Sequence, residues 1–266
     1  LFWQLEKHMK KVWRGVLLNM NGMSLRQSEM HSKNEMQKND NSIVQFESFS
    51  PFKNLIHGVS TRIHGDMRDK QNRDSFLRSL QLSPNKLIQL KQIHSDRIVK
   101  NTDTERMADG IYGDSAESVL SILTADCVPV FVYDSKTHLH GLAHAGWKGV
   151  HKEIVVKIIN RLIDLGASIE TLHVALGPHI HSCCYSISEE RVEMFDTYKE
   201  AVERKNGTYF LDLSQVLVSQ LMALGVPKTH IEVSVECTGC ESSRFYSYRG
   251  DRAHFGEMMS VLSVTT

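Results

Sequence analysis

A cysteine and a histidine near the middle of the chain are spaced so that a β-hairpin would bring them together. Cys127 opens an apolar run, a polar tetrapeptide (134–137) follows, and a second apolar run contains His144. Two such runs around a short polar loop predict a hairpin. If Ser135 and Lys136 form a two-residue turn, Cys127 lies directly opposite His144. Directly opposed side chains share a face of the hairpin, with Cβ atoms roughly 4.5–5.5 Å apart.

A thiolate and an imidazole at that distance allow two kinds of chemistry. The pair can provide two ligands to one metal ion. It can also act as a nucleophile with its general base. A core cysteine beside an unrelated histidine is the third reading, and the spacing alone does not choose among the three.

The five cysteines of the chain do not form a recognisable disulfide framework. Their odd number and irregular spacing favour a reducing, cytoplasmic location. Cys237 and Cys240 form a C-x-x-C motif, but no second C-x-x-C accompanies it, so the sequence predicts no four-cysteine metal site. The adjacent Cys183 and Cys184 are interpreted as reduced, packed residues.

Hydrophobic periodicity predicts both helices and strands around the hairpin. Segment 151–166 has an apolar stripe of helical period, and Gly166 occupies the expected position of a left-handed C-cap. A strand predicted at 87–100 carries His94, and residues 101–115 are predicted to form a polar loop. The mixture, without internal repeats, predicts an α+β (mixed α/β) fold with a mixed sheet. Further predictions are helices at 188–203 and 213–224 and strands at 55–62, 119–123 and 172–176.

Charge and hydropathy exclude several classes of partner. The 31 basic and 31 acidic residues balance, so no net field favours nucleic acid. No apolar run approaches the roughly 20 residues that span a bilayer. We therefore expect neither nucleic acid nor membrane as a partner. Residues 1–42 are interpreted as a poorly structured N-terminal extension that is not a signal peptide, and a single domain is predicted at 43–266.

Several ordered segments resemble a known family. They are HGVSTR (57–62), QIHSD (92–96), TADCVPV (124–130), HAGWKG (144–149), LGPHIHSCCYSI (176–187) and FYSYRGD (245–251). Together they look like the multicopper polyphenol oxidase (laccase-like) family, also described as purine nucleoside phosphorylases of the laccase-domain type. The resemblance runs from about residue 43 to the end of the chain. It implies a monomer whose mixed β-sandwich core is flanked by helices.

Carried over residue by residue, the resemblance implies a metal site formed by His94, Cys127 and His144. Zinc is the expected metal, and copper is the alternative. Three protein ligands leave one coordination position open, which is the pattern of catalytic rather than structural zinc. Asp126, next to Cys127, is expected to act with these ligands by orienting a histidine; a turn cap is the alternative for this carboxylate.

Three further residues are expected to bind substrate. Arg62 is a candidate for a phosphate or carboxylate group, because guanidinium offers two donors to such anions; an internal salt bridge is the alternative. Trp147 is the candidate for stacking on a purine base. His179 is expected to line the cleft, on the same face as His181. Glu257 stands where the family usually has an arginine after a glycine.

The function that the resemblance implies is phosphorolysis by a zinc-dependent enzyme. Adenosine, inosine, guanosine or methylthioadenosine would react with phosphate to give a free base and a sugar 1-phosphate, with adenosine deamination as a second activity. Two enzymatic alternatives stay open: a copper-dependent polyphenol oxidase, and a cysteine-type amidase of cell-wall precursor editing with Cys127 as nucleophile and His144 as base. A zinc-stabilised interaction module without catalysis is the non-enzymatic alternative.

Overall fold

In the computed structural model, which describes residues 42–114, 116 and 118–265, two β-sheets pack face to face. The strands are β1 (Ile43–Val44), β2 (Leu55–Ser60), β3 (Leu87–Gln89), β4 (Ile98–Lys100), β5 (Gly110–Gly113), β6 (Val119–Thr124), β7 (Val128–Asp134), β8 (His140–Ala145), β9 (Leu172–Leu176), β10 (Ser186–Ile187), β11 (Val202–Lys205), β12 (Thr208–Leu211), β13 (Ile231–Val233) and β14 (Met258–Val264). The α-helices described are α1 (Lys70–Ser79), α2 (Trp147–His151), α3 (Ile154–Asp164), α4 (Glu189–Met194), α5 (Leu213–Ala223) and α6 (Tyr248–Asp251). Short 3-10 segments occur at Glu47–Phe49, Arg62–His64, Pro84–Lys86, Asp196–Ala201, Lys228–His230 and Arg252–His254.

The two large sheets mix parallel and antiparallel pairings. The first has the order β1-β2-β14-β6-β3 and the second β13-β9-β7-β8-β5-β4, while β10, β12 and β11 form a small third sheet. The predicted mixed α/β sandwich, built as a single domain, is confirmed. The predicted N-terminal extension lies outside the described residues except at residue 42. Within the described chain, no helix is both long enough and apolar enough to cross a membrane.

Alternation along the strands separates the core into layers. On β7, Phe131 faces the first sheet, whereas Val130 and Val132 face the helices. Helix α3 covers that second face with an apolar stripe that includes Ile158 and Leu162. Because β7 is buried on both faces, its residues from Val128 to Tyr133 form a continuous hydrophobic run, and only its last residue, Asp134, is charged.

The outer face of the first sheet is covered by α1. Phe76 and Leu77 of this helix pack in one cluster with Leu123 of β6 and Val261 of β14. The Asp69 side chain caps α1 by accepting a hydrogen bond from the Gln71 backbone N–H at 2.7 Å. The described fold is therefore layered as helix, sheet, sheet and helices.

The predicted helices were found with different boundaries. The one expected at 151–166 begins at Ile154, because Glu153 has left-handed backbone with φ 59°, and it ends before Gly166 at φ 106°. The prediction at 188–203 is wrong beyond Met194. There the chain passes through a 3-10 segment and into β11, because Val202 pairs with Leu211 of β12.

The hairpin between β7 and β8 exists, but the predicted register is wrong. His144 lies opposite Pro129 rather than Cys127. The loop has four residues (135–138), because the Asp134 carboxylate accepts a hydrogen bond from the Thr137 hydroxyl at 2.6 Å and organises a longer turn. The register differs from the prediction by two positions, so the faces of the side chains are unchanged.

A buried histidine joins β2 to the segment that follows β1. The Phe46 backbone N–H donates to His57 Nε2 at 2.9 Å, and the Phe46 ring stacks on the imidazole with centroids 5.5 Å apart. Burial lowers the pKa of His57 from 6.5 to about 4. The folded state therefore holds this imidazole neutral, whereas the unfolded chain protonates it below its ordinary pKa.

This histidine predicts a loss of stability in mild acid. Between pH 6.5 and 4 the unfolded chain binds more protons at His57 than the folded chain, so stability falls as the pH is lowered, by about 3 kcal/mol across the window. His57→Gln keeps an acceptor for the Phe46 N–H and removes the titration. Urea unfolding at pH 7 and pH 4 should show a smaller difference for this variant than for the wild type. The exposed His254→Gln serves as control, and an equal acid loss in all three proteins would contradict the assignment.

Candidate active site

Three potential metal ligands meet at one edge of the second sheet. Cys127 lies in the bend before β7, His144 lies on β8, and His94 lies in the loop between β3 and β4. One ligand atom from each lies within 4.8 Å of the other two. The strand predicted at 87–100 is interrupted in its middle. His94 has left-handed backbone with φ 54°, and its backbone N–H donates to a carboxylate instead of to a neighbouring strand.

That carboxylate belongs to Asp109, which the sequence placed in a loop without a function. It accepts hydrogen bonds from the backbone N–H groups of Ile93, His94 and Ser95 at 3.3, 3.0 and 2.6 Å, and from the Ser95 hydroxyl at 2.7 Å. It also binds His144 Nδ1 at 2.8 Å. Burial opposes the ionised form of Asp109, but the hydrogen bonds from His144 and Ser95 outweigh it and lower the pKa to about 2.

The predicted loop at 101–115 in fact contains β5, which explains the position of Asp109. Gly110 pairs with Ala143 of β8, so the preceding residue, Asp109, lies beside His144, whose backbone N–H donates to the Asp109 carbonyl at 2.7 Å. No local motif marks this pairing in the sequence. The sequence signal that could have indicated the pairing of β5 with β8 is the short apolar run within β5.

Cys127 and His144 shift each other's pKa toward the charged forms. Burial would raise the pKa of the Cys127 thiol, but the neighbouring imidazole of His144 outweighs it and lowers the pKa to about 7. Burial also opposes charge on His144, yet the Cys127 thiolate and the Asp109 carboxylate raise its pKa to about 10. Because Nδ1 of His144 is bound to Asp109, Nε2 is the atom directed to a ligand.

The cluster fits a metal ion in its donor set and in its space. A thiolate and two imidazoles are ligands that zinc and copper both accept. A Cβ built on Gly146 would lie 3.0 Å from Cys127 Sγ and 3.2 Å from His94 Cδ2. A glycine at this position therefore leaves the room that the three ligands need to converge.

Asp126 does not orient a histidine, and this prediction is corrected. Its carboxylate accepts from the Thr238 hydroxyl at 2.7 Å and from the Arg249 backbone N–H at 2.8 Å. Asp126 has φ 85°, so the chain turns sharply just before Cys127. The histidine-orienting role belongs to Asp109, whereas Asp126 ties the bend to two distant loops.

A cavity of about 630 Å³ opens onto the ligand cluster. This volume lies within the roughly 300–1,000 Å³ range of small-molecule sites. The lining combines the three ligands with aromatic, apolar and charged side chains. It comprises Leu90, Gln92, His94, Leu123, Ala125, Asp126, Cys127, His144, Trp147, Tyr185, Arg191, Tyr248, Arg249, Phe255 and Glu257.

Charged groups in the cavity wall are held by aromatic rings. The Arg191 guanidinium lies 4.1 Å from the Trp147 ring centroid, and that of Arg249 lies 4.9 Å from the Tyr185 centroid. Neither arginine has a carboxylate partner within hydrogen-bonding distance in the described part of the chain. Burial raises the pKa of Glu257, which favours its neutral carboxyl form.

Two predicted substrate-binding residues do not line the cavity. Arg62 pairs with the Asp251 carboxylate at 2.6 Å and stacks on Tyr246 at 4.2 Å, so its charge is already compensated. His179 is fully buried and stacks on His181 with centroids 4.2 Å apart. The two histidines lie together as the alternation predicted, but neither belongs to the described cavity lining.

The structure also corrects the interpretation of the remaining cysteines. Cys184 packs against the core as expected, but Cys183 is exposed, and both meet Cys237 and Cys240 in a second cluster. All four are free thiols. A motif that looked isolated in the sequence is completed by residues more than fifty positions away.

Comparison with known proteins identifies relatives over most of the chain. A family profile described as multi-copper polyphenol oxidoreductase laccase matches residues 48–265. The purine nucleoside phosphorylase YlmD of Geobacillus stearothermophilus is 32% identical over 241 residues, which cover 81% of this chain and 85% of the relative. The protein of the same name from Bacillus subtilis is 29% identical over 82% of this chain and 84% of its own length.

A solved structure confirms the fold. The YfiH protein of Bacillus licheniformis superposes with a TM-score of 0.77 at 29% sequence identity, covering 84% of this chain and 97% of that one. The architecture of the described residues is thus that of an experimentally observed fold.

The contacts of Asp109 predict its effect on metal binding. Asp109→Asn removes the charge that holds His144 and the His94 loop, so the affinity for zinc should fall about 10–100-fold. Competition with a chromophoric chelator measures this change. Asp103→Asn makes the same substitution at an exposed position of the same loop and should leave the affinity unchanged. Equal affinities of the two variants would show that Asp109 does not support the ligands.

Proposed function

The chain belongs to the multi-copper polyphenol oxidoreductase laccase family, and from this premise we propose that it is a metal-dependent purine nucleoside phosphorylase. Its substrates are adenosine, inosine, guanosine or methylthioadenosine together with phosphate, and its products are a free base and a sugar 1-phosphate. Adenosine deamination in the same cavity is a second proposed activity. A cytoplasmic location and a monomeric state of the protein remain predictions.

One observation carries this proposal: a single cavity combines a metal-ligand cluster, aromatic rings and two guanidinium groups that have no carboxylate partner among the described residues. A nucleoside needs an apolar surface for its base, and Trp147 and Tyr248 offer rings in the wall. Phosphate needs cations, and Arg191 and Arg249 replace Arg62 as our candidates. The His94–Cys127–His144 cluster lies in the same wall.

Zinc is the metal that we propose for the cluster. His94, Cys127 and His144 would hold it, with Asp109 fixing the tautomer of His144. When bound, such an ion supplies Lewis-acid polarisation of a substrate oxygen or activation of water. Copper electron-transfer sites usually add a weak axial methionine, and no methionine lines the described cavity.

Other residues of the cavity wall would bind the substrates and transfer a proton. Arg191 and Arg249 would hold the phosphate, and Trp147 would orient the base. The departing base must take up a proton. We propose that Glu257 holds this proton, because burial raises the pKa of its carboxyl group within the cavity wall.

The cysteine-type amidase is the second candidate, favoured by one observation. The Cys127 pKa of about 7 beside His144 describes a thiolate–imidazolium pair, which is also the arrangement of a cysteine nucleophile and its base. Trapping with a thiol-directed substrate analogue would label Cys127 in an amidase. In a zinc phosphorylase the metal would protect this thiolate from the reagent.

Inosine incubated with and without phosphate provides the main test. The wild type should release hypoxanthine only when phosphate is present, and Cys127→Ala and His94→Ala should both lose this release because each removes a ligand. His254→Ala, which changes another exposed histidine outside the cavity lining, should retain it. Adenosine without phosphate tests for inosine formation.

Each alternative gives a different result in this assay. Full phosphorolysis by Cys127→Ala would place the reaction elsewhere, and turnover of neither nucleoside by the metal-loaded wild type would reject the proposed function. Glu257→Gln separates proton transfer from binding, because it should keep the metal and lose roughly 100-fold or more in kcat.

The anion site has its own expected outcome. Arg191→Ala and Arg249→Ala should each raise KM for phosphate about tenfold or more, since a charge-assisted hydrogen bond contributes roughly 1.5–3 kcal/mol. Initial rates at varied phosphate and saturating inosine measure this. The exposed Arg204→Ala, outside the cavity lining, is the matched control. If Arg62→Ala alone raised KM for phosphate, Arg62 rather than Arg191 and Arg249 would bind the phosphate.

A further inference from the structure

Four cysteines form a second cluster outside the cavity lining. Cys183 and Cys184 lie in the turn before β10, and Cys237 and Cys240 lie in the turn after β13. Cys240 Sγ lies 3.4 Å from the Sγ atoms of both Cys183 and Cys184, and Cys183 Sγ lies 3.5 Å from Cys237 Sγ. We propose that these four sulfurs bind one divalent metal ion in a tetrahedral site, with zinc as the preferred ion.

The separations of the sulfurs match a mononuclear site. A zinc–sulfur bond of about 2.3 Å in a tetrahedron places neighbouring sulfurs roughly 3.8 Å apart. All four Sγ atoms lie within 4.8 Å of one another. A disulfide needs about 2.05 Å between its sulfurs, and all four thiols are free. An iron–sulfur cluster would separate its ligands further, because several irons and sulfides lie between them.

The backbone beside Cys237 already offers a hydrogen-bond donor to its sulfur. The His181 N–H points at Cys237 Sγ at 3.4 Å. Such a donor stabilises a metal-bound thiolate, and a bound cation would replace the protons of the four thiols.

The backbone around the cluster is already folded for close approach. Within the 237–240 turn, the Cys240 N–H donates to the Cys237 carbonyl at 3.1 Å. A Cβ on Gly239 would lie 2.8 Å from Cys184 Cβ and 3.1 Å from its sulfur. Glycine therefore permits the two turns to meet at this point, and any larger residue would separate the sulfurs.

Four protein ligands close a metal site, which is the pattern of structural zinc. The proposed ion would join a turn that leads into the cavity wall to a turn that hydrogen-bonds to that wall. Tyr185, next to Cys184, lines the cavity. Thr238, between Cys237 and Cys240, donates to Asp126 at 2.7 Å, next to Cys127. The ion would therefore stabilise the cavity wall without contacting the substrate.

Cobalt binding by the full chain tests the proposal. Cys127→Ala disables the first cluster and leaves all four sulfurs of the second. Loaded with one equivalent of Co²⁺ under reducing conditions, this variant should show the thiolate-to-cobalt charge-transfer bands and intense visible bands of a tetrahedral four-sulfur site. Zinc should displace the cobalt and abolish the spectrum. A variant that also carries Cys183→Ser and Cys240→Ser should bind neither ion tightly.

The outcomes are separable from those of the activity assay. Metal analysis of Cys127→Ala as purified should give one equivalent of zinc, or of iron without inorganic sulfide, and either supports a mononuclear site. Absence of a four-sulfur cobalt spectrum would overturn the proposal, as would inorganic sulfide or a disulfide among the four cysteines in the freshly isolated protein. The cobalt spectrum needs no substitution in the second cluster, so poor folding of the serine variants leaves the test decisive.

Discussion

The carboxylate of Asp109 is the contact on which the rest of the site depends. It is fully buried, and five hydrogen bonds from three consecutive backbone N–H groups, one hydroxyl and one imidazole compensate its charge. A buried carboxylate is tolerated only when such donors surround it. The same bonds hold the His94 loop in its left-handed conformation and fix the tautomer of His144. The hydrogen bonds that compensate the charge of Asp109 are therefore the same bonds that position the two histidine ligands.

The sandwich explains why the ligands meet where they do. Strands β7 and β8 are antiparallel, so the start of one and the end of the other lie at the same edge of the sheet. Strand β5 is antiparallel to β8 and β4 is parallel to β5, so their first residues reach this edge as well. Cys127, His144, Asp109 and the His94 loop all belong to these ends. The layers on both faces make the strands rigid, which leaves the loops at the edge to form a cavity.

Asp126 lies between the two clusters of potential metal ligands. It precedes Cys127 of the first cluster and accepts a hydrogen bond from Thr238, within the second. Its other oxygen accepts the N–H of Arg249, a residue of the cavity wall. A single buried carboxylate therefore contacts the backbone or side chains of residues next to both clusters. The four-cysteine cluster therefore lies next to the cavity wall that contains the first cluster.

The pattern of residues alone predicted the mixed α/β class, the α3 stripe and the grouping of Cys127 with His144, because these depend on local hydrophobic period and on short loops, whereas the sandwich was implied by the resemblance. Even the wrong hairpin register kept both residues on one face, since an even shift preserves alternation. His94 entered through resemblance, not spacing. Only the tertiary structure decided that Asp109 orients the site, that Arg62 is paired with Asp251, and that Cys183 and Cys184 meet Cys237 and Cys240. Each of these contacts joins residues from separate turns or strand ends, and a contact of that kind depends on how the sheets and loops pack in space, which no local pattern records.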